Sequence, residues 1–287
     1  MNPPRPVRSS RTRSAIAAVV MLVGVSLTLA GDAPAAFAAV QPPGLSHFLC
    51  YDASTPAGAP GFPNVPARVR IKNQFAAAAF AATVDPVPNL HCNPAKKIVQ
   101  TATGGTKTYP MIHPKSHLLC FPITAATQPT HTVTVSNQFG SANLVVGQPQ
   151  SLCLPTWKNL TAPPPTVQPP GLDHFTCYPV DYAPGTPSTF QPPAGVRVQD
   201  QFSSPGPVAV QVLQPRALCV PSTKIVGTKK YPPAKPRAHL LCFDVTATPF
   251  PSSVLDQNQF GSSPVNVTGT RFLCLPSFKT IIPTPSG

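Results

Sequence analysis

The segment His117-Leu118-Leu119-Cys120-Phe121 is one of four copies of a motif, His-x-x-Cys followed by Tyr or Phe, in this chain of 287 residues. After each copy come an Asn-Gln-Phe triplet (Asp-Gln-Phe in one case) and the sequence Cys-x-Pro-x-x-Lys. Because three motifs recur four times in the same order, we interpret them as one structural unit used four times. The motif histidines and lysines are His47, His117, His174, His239, Lys97, Lys158, Lys224 and Lys279.

A longer repeat groups these units in pairs. The sequence Val-Gln-Pro-Pro-Gly-Leu occupies residues 40–45 and recurs letter for letter at residues 167–172. We therefore predict two tandem domains, each made of two half-repeats and joined by a semi-rigid proline linker. The predicted ranges are domain 1 at 40–162 (halves 40–100 and 105–162), the linker at 163–166, and domain 2 at 167–287 (halves 167–226 and 227–287).

The composition favours strands over helices. The chain has 42 prolines and no Glu, and a proline inside a helix costs about 3 kcal/mol. Apolar and polar residues alternate in 68–72 and 132–136, which is typical of half-buried strands, and the Pro-rich stretches 55–66 and 183–193 are typical of extended loops. The predicted fold class is all-β, with each domain a pseudo-twofold β-sandwich or small barrel stapled by disulfides.

The N-terminus has the three parts of a secretory signal peptide. Four arginines precede an apolar run from Ala15 to Gly31, and Ala36-Phe37-Ala38 forms a cleavage signal before Ala39. A membrane anchor is the alternative, but the apolar run is at the lower length limit for a span. We predict a signal peptide at 1–38 and a secreted protein with no membrane span after cleavage, which retains 17 basic and 7 acidic residues.

Eight cysteines in a secreted chain predict four disulfides, because cysteines pair in oxidising compartments. If each half is a module, the pairs are Cys50–Cys92, Cys120–Cys153, Cys177–Cys219 and Cys242–Cys274. A symmetric alternative joins the halves of each domain, for example through Cys50–Cys153 and Cys92–Cys120. We favour the pairing within halves.

The four His-x-x-Cys, Asn-Gln-Phe and Cys-x-Pro-x-x-Lys sets resemble secreted bacterial repeat modules that are classified only as a domain of unknown function. The resemblance covers nearly all of the predicted mature chain. It implies an extracellular bacterial protein, and it implies no activity and no catalytic residues. Asp200 replaces the Asn of the other three triplets, so we do not expect a strict requirement for an amide at this position.

The repeated histidines are interpreted as structural. In a strand, residues i and i+3 point to opposite faces, so His47 and Cys50 would not converge on one metal ion. We therefore predict no metal and no cofactor, with an extracellular metal binder as an alternative. The sequence lacks Gly-x-Ser-x-Gly and Ser-x-x-Lys motifs, and without Glu it cannot contain His-Glu-x-x-His. We predict a non-enzymatic protein, with a secreted hydrolase or accessory domain of unrecognised site as the alternative.

Positive charge gives the remaining functional hint. The net charge is +13, and Arg68, Arg70 and Lys72 share one face of a predicted strand. Residues 229–237 hold a second basic cluster, and the four motif lysines follow a rigid Cys-x-Pro, which makes them candidates for a repeated contact. Such surfaces can bind anionic envelope polymers or glycans, while an aromatic content of 7% argues against nucleic acid. We predict a binding or structural module of the cell envelope or extracellular matrix; a basic face kept only for solubility is the alternative.

Overall fold

Antiparallel strands make up the fold. A computed structural model describes residues 42, 44–101, 103–159, 169–186, 188, 190–203, 205–248 and 251–283; the predicted signal peptide 1–38 and linker 163–166 lie outside them. No helix occurs among these described residues, which confirms the all-β prediction. Their strands are β1 His47–Ser54, β2 Val69–Lys72, β3 Phe80–Val84, β4 Leu90–Gln100, β5 Thr106–Tyr109, β6 His117–Ala125, β7 His131–Asn137, β8 Gly140–Val146, β9 Ser151–Asn159, β10 Phe175–Tyr182, β11 Arg197–Gln199, β12 Val208–Ala209, β13 Gln211–Pro221, β14 Thr223–Val226, β15 Lys229–Tyr231, β16 His239–Thr246, β17 Ser252–Asn258 and β18 Gly261–Ile282.

Eight strands pair into a closed antiparallel ring. Their order is β1, β4, β6, β9, β10, β13, β16 and β18, and β18 returns to β1 with Phe48 opposite Cys274. Each of the four halves, numbered 1 to 4 in chain order, contributes two adjacent strands. A sheet closed in this way has no free edge that could pair with another chain.

Both predicted domains contribute to this one ring. Residues 40–162 supply β1, β4, β6 and β9, and residues 167–287 supply the other four strands. All residues that the structure describes lie in one compact unit. The prediction that each domain folds as its own sandwich or small barrel is therefore not confirmed, because the sheet closes only when all four halves take part.

The ring separates the cysteines from the histidines. All eight cysteines point inward, where they pack with Phe48, Phe175 and other apolar side chains. Residues of the opposite parity, such as Leu49 and Leu119, pack outward against a second layer of strands. The motif histidines belong to this outward set, as the period of a β-strand requires.

The four disulfides lie inside the ring and pair the two cysteines of each half. They are Cys50–Cys92, Cys120–Cys153, Cys177–Cys219 and Cys242–Cys274. Bonds of neighbouring halves touch: Cys50 Sγ lies 3.5 Å from Cys274 Sγ, and Cys153 Sγ lies 3.4 Å from Cys177 Sγ. The ring interior holds an apolar cavity of about 30 Å³, which offers water no polar partners.

Outer sheets cover the ring, and each combines strands from different halves. Outer sheet I contains β15 from half 4, β14 from half 3, and β2 and β3 from half 1. Outer sheet II contains β5 from half 2, the end of β4 from half 1, and β11 and β12 from half 3. Hairpins β7–β8 and β17–β18 form the remaining outer layers against β10, β18, β9 and β1.

The repeated Gly-Leu pairs close one end of the ring. Leu45 and Leu172 are buried in the cysteine cluster, and the Lys235 ammonium donates hydrogen bonds to the carbonyl oxygens of Gly44 (2.6 Å) and Gly171 (3.2 Å). Gly44 has a φ of 74°, and a Cβ there would lie 2.8 Å from Lys235 Nζ. Glycine is therefore favoured here by its backbone conformation, and a side chain at this position would displace the Lys235 ammonium.

Candidate functional site

The lysine of each Cys-x-Pro-x-x-Lys motif reaches the aromatic ring of the next half's Asn-Gln-Phe motif. Half 4 reaches half 1 in the same way, so the contacts form a closed cycle. We number these lysine sites 1 to 4 by the half that supplies the lysine. The distances from Nζ to the ring centroid are 4.5 Å for Lys97–Phe139, 3.9 Å for Lys158–Phe202, 4.8 Å for Lys224–Phe260 and 4.5 Å for Lys279–Phe75.

Burial dominates the electrostatics of these lysines. Lys97 and Lys224 are 0% and 1% exposed, and burial, followed by repulsion from Lys107 and Lys229 respectively, lowers the pKa of each to about 7. Burial lowers the pKa of Lys158 and of Lys279 to about 8. The predicted surface contact therefore does not fit Lys97 and Lys224, because a polymer in solution cannot reach either ammonium group. These lysines join neighbouring halves by cation–π contacts.

The motif histidines line the same sites. His47 Nε2 and His174 Nε2 donate to Gln138 Oε1 and Gln259 Oε1, both at 3.2 Å, and the lysines of those sites donate to the same two oxygens. Burial lowers the pKa of His174 and of His239 to about 3. The imidazoles of His47 and His174, each bonded to an amide oxygen, fit the structural role expected for these residues.

The first residue of each Asn-Gln-Phe triplet shapes its own turn. Its Oδ1 accepts the backbone N–H of the Phe two residues later, at 2.7 to 3.0 Å in all four copies, and Asp200 does so as well as Asn. The Asn Nδ2 then donates across the ring to a hydroxyl two halves away. These pairs are Asn73–Ser222 (3.2 Å), Asn137–Ser277 (3.2 Å) and Asn258–Thr156 (3.4 Å).

Half 3 breaks this pattern. Ala95 occupies the position of the hydroxyl that would face Asp200, and the neighbouring Asn93 stands where the other halves have Leu or Val. Asp200 Oδ2 accepts hydrogen bonds from Asn93 Nδ2 and from the Tyr51 hydroxyl, both at 2.8 Å. Asp200 thus has a carboxylate where the other triplets have an amide, and its partners here are hydrogen-bond donors, whose hydrogen bonds a carboxylate oxygen can accept.

Three N–H donors surround the Asn93 carbonyl oxygen. Lys158 Nζ lies 2.8 Å from Oδ1, His91 Nε2 lies 2.9 Å away and His117 Nδ1 lies 3.0 Å away. His91 Nδ1 donates to Asp256 Oδ2 at 2.9 Å. We call Asn93, His91, His117, Lys158, Asp200, Asp256 and Tyr51 the Asn93 cluster.

The cluster is a low-dielectric environment. Asn93, His91 and Asp256 are fully buried, and Asp200 is 7% exposed. Burial and the Asp200 charge raise the pKa of Tyr51, whereas burial and the Lys158 charge lower the pKa of His117. Sequence analysis missed this cluster; its signal was the coincidence of Asn93, Ala95 and Asp200, each departing from its counterparts in the other halves.

The basic residues predicted to bind polymers converge on the outer face of outer sheet I. Arg70 on β2 and Lys230 on β15 both pair with Ile225 on β14, so the three side chains share one face, with Arg68 and Lys72 beside Arg70. All four cations are exposed, and we call Arg68, Arg70, Lys72 and Lys230 the basic face. Among the described residues, ion pairs occur at Arg216, Arg271 and His91, none of which belongs to this face.

The rest of the second basic cluster is divided. Lys229 points to the inner side, 5.1 Å from the centroid of the Tyr231 ring, and Lys235 is held by the two glycine carbonyls. Arg237 is exposed outside the strands of outer sheet I. Only Lys230 of this cluster therefore joins the basic face.

Neither a metal centre nor a spanning helix is found in the described ranges. No group of three or more His, Cys, Asp or Glu residues there is placed to hold a metal ion. No helix there has the length and apolarity to cross a bilayer.

Comparison with known proteins places the chain by family. No curated protein and no solved structure matches it. A family model described as a repeat of unknown function (DUF7450) matches residues 117–276, which is more than half of the chain and covers half 3 in full and most of halves 2 and 4. The chain belongs to this family of repeats of unknown function.

Proposed function

We propose that this protein is a secreted, non-enzymatic binding module that holds an anionic polymer of the cell envelope or extracellular matrix on its basic face. Its four disulfides fit an oxidising extracellular compartment. A ring without free edges, stapled from inside, is a rigid support for such a surface.

The observation that carries the proposal is the pairing of β2 with β14 and β15. It brings Lys230 onto the same face as Arg70, although the two residues come from different halves of the ring. Ile225 lies between them and is only 9% exposed on this outer face. The basic face is therefore a cluster of exposed cations without ion-pair partners among the described residues. Such a cluster attracts polyanions and raises their association rate.

The test is binding to defined polymers at two ionic strengths. The full secreted chain is titrated with a polyuronate and a polyglycerol phosphate, with neutral dextran as the control polymer. We expect both polyanions to bind, and binding to weaken when ionic strength rises from about 0.05 to about 0.5 M, because the Debye length shortens several-fold. The proposal would be contradicted if neither polyanion bound, or if the affinity were the same at both ionic strengths.

A matched pair of variants locates the site. Arg70→Glu with Lys230→Glu reverses two charges of the basic face. As the matched control, Lys96→Glu with Arg197→Glu reverses the two cations on the outer face of outer sheet II. We expect the first pair to weaken binding by about tenfold or more, since each exposed ionic contact contributes about 0.2–1 kcal/mol and reversal adds repulsion. Equal losses from both pairs would mean that net charge, not this face, binds the polymer.

A further inference from the structure

The Asn93 cluster brings a lysine amine, a carboxamide and a carboxylate together in a buried site. Lys158 Nζ is 2.8 Å from Asn93 Oδ1, and Asn93 Nδ2 is 2.8 Å from Asp200 Oδ2. These are a nucleophile, an acyl group and a proton carrier. The proposed binding role uses none of them.

The acyl group is strongly polarised. His91 Nε2 and His117 Nδ1 both donate to Asn93 Oδ1, which is the arrangement that stabilises an oxyanion during acyl transfer. His91 lies between two acceptor oxygens, Asn93 Oδ1 at its Nε2 and Asp256 Oδ2 at its Nδ1. Asp256 is thus a positioning residue that fixes the ring of His91.

The amine is suited to attack. Lys158 packs over the Phe202 ring at 3.9 Å, and burial lowers its pKa to about 8, against a smaller opposing effect of Asp200 and Asp256. A substantial fraction of the amine is therefore neutral near neutral pH, and a neutral amine is the nucleophilic form.

We propose that Lys158 and Asn93 form an intramolecular amide crosslink with release of ammonia. Asp200 takes one proton from the Lys158 ammonium, and the freed Nζ lone pair attacks Asn93 Cγ while the carbonyl electrons move to Oδ1. Asp200 passes that proton to Nδ2 and takes a second proton from Nζ, and the Cγ–Nδ2 bond breaks as the carbonyl re-forms. The ammonia leaves with this second proton as ammonium, which restores the Asp200 carboxylate. Overall, an amine and a carboxamide give a secondary amide and ammonia, with no oxidant or reductant.

The same reaction is not expected at the other sites. The residues at the position of Asn93 are Leu154, Val220 and Leu275, which carry no acyl group. Lys97 and Lys224 do contact the carboxamides of Gln138 and Gln259. The charges that affect the pKa of Lys97 and of Lys224 belong to other lysines, not to carboxylates. These two sites therefore lack the carboxylate that would carry the proton at Lys158.

Intact mass measurement of the secreted full chain, denatured and reduced, tests the crosslink without any variant. We expect a mass one ammonia below that calculated for the processed sequence, and a peptide map that joins the Asn93 peptide to the Lys158 peptide. The full calculated mass in a folded protein with four disulfides, or loss of ammonia mapped elsewhere, would overturn the proposal.

Variants then test the roles of the residues. Lys158→Arg keeps the cation but cannot form the amide, and Asp200→Asn restores the residue found in the other three triplets while removing the proton carrier. We expect both variants to show their full calculated mass. The control Lys279→Arg, at lysine site 4, should have a mass one ammonia below its calculated value, as the wild type does. A folded Asp200→Asn protein that is fully crosslinked would overturn the role of Asp200.

Discussion

Outer sheets I and II have the same inner faces and different outer faces. On the inner side, Lys224 and Tyr231 of sheet I correspond to Lys97 and Tyr109 of sheet II, and each lysine contacts a Gln and a Phe from the following half. On the outer side the two sheets differ at several positions. Where sheet I has Arg68, Lys72 and Lys230, sheet II has Gly195, Gln199 and Thr108, and Lys96 of sheet II corresponds to Thr223.

The comparison separates what the fold requires from what it permits. A buried lysine without its amide and aromatic partners would leave an uncompensated charge in the interior, so the inner faces must agree. The outer faces meet only solvent, where substitutions usually change stability by less than about 0.5 kcal/mol. A concentration of cations on one outer face alone is therefore not explained by folding.

The largest expected effect is on the shared inner faces. Phe139→Ala and Phe260→Ala each remove a buried ring that covers a lysine ammonium. We expect each to lower the free energy of unfolding by about 3–5 kcal/mol, and the two losses to agree within about 1 kcal/mol. Urea unfolding with the disulfides intact measures both; a large loss in only one variant would show that the inner faces are not equivalent.

The next effect is on the pH dependence of stability. Lys97 and Lys224 have pKa values near 7 when folded, below the ordinary 10.5, so the unfolded chain binds more protons between these values. Stability should therefore rise with pH from 7 towards 10, by at most about 1.4 kcal/mol per pH unit for each lysine. This contribution is lost as pH falls through 7.

Unfolding at pH 7, 8 and 9 measures that slope. Lys97→Met and Lys224→Met should each remove a similar share of it, because the two inner faces match. Lys115→Met, at an exposed lysine, should leave it unchanged. A slope that survives in the double variant would place the titrating groups elsewhere.

A smaller effect is expected from making the outer faces alike. Thr108→Lys with Gln199→Lys gives sheet II two cations at the positions of Lys230 and Lys72. We expect affinity for the polyanion bound by sheet I to rise by about threefold to tenfold and to depend more steeply on salt, since two exposed contacts add about 1 kcal/mol. Isothermal titration at low salt measures the change; unchanged affinity would mean that more than charge defines the binding face.

The smallest effect is a stability control on the same positions. Arg70→Gln and Lys230→Gln neutralise the basic face without touching the inner layer. We expect each to change the free energy of unfolding by less than about 0.5 kcal/mol, and thermal unfolding measures it. A destabilisation above about 1 kcal/mol would show that these cations serve the fold, for example by covering Ile225.

The four halves and their strands could be read from the sequence because the signal is local. Alternation at 68–72 predicted β2, and the presence of two cysteines in each repeated half favoured the pairing found in all four disulfides. Closure of the ring could not be predicted from the sequence, because it depends on the pairing of β1 with β18, which lie at opposite ends of the described chain. No local pattern distinguishes that contact from one within a domain.

The candidate sites were likewise predictable where their residues are neighbours in sequence, and not where they come from different halves. Arg68, Arg70 and Lys72 were visible as a stripe on one strand, but their proximity to Lys230 depends on the register of strands from halves 1, 3 and 4. The motif lysines were predicted to be surface contacts, because the sequence does not show that the next half places an aromatic ring over each ammonium group. The Asn93 cluster could be predicted only by connecting Asn93 and Ala95 of half 1 with Asp200 of half 3, and no local pattern links these positions.

The pairing of β18 with β1 also bears on how such a protein can change in evolution. An open stack of repeats grows or shrinks by one unit at little cost, because each unit contacts only its neighbours. In this ring a fifth half would have to break an existing seam, and a missing half would leave two unsatisfied edges. Copy number is therefore fixed by geometry at four, and diversification must proceed by divergence among the halves, as outer sheets I and II already illustrate.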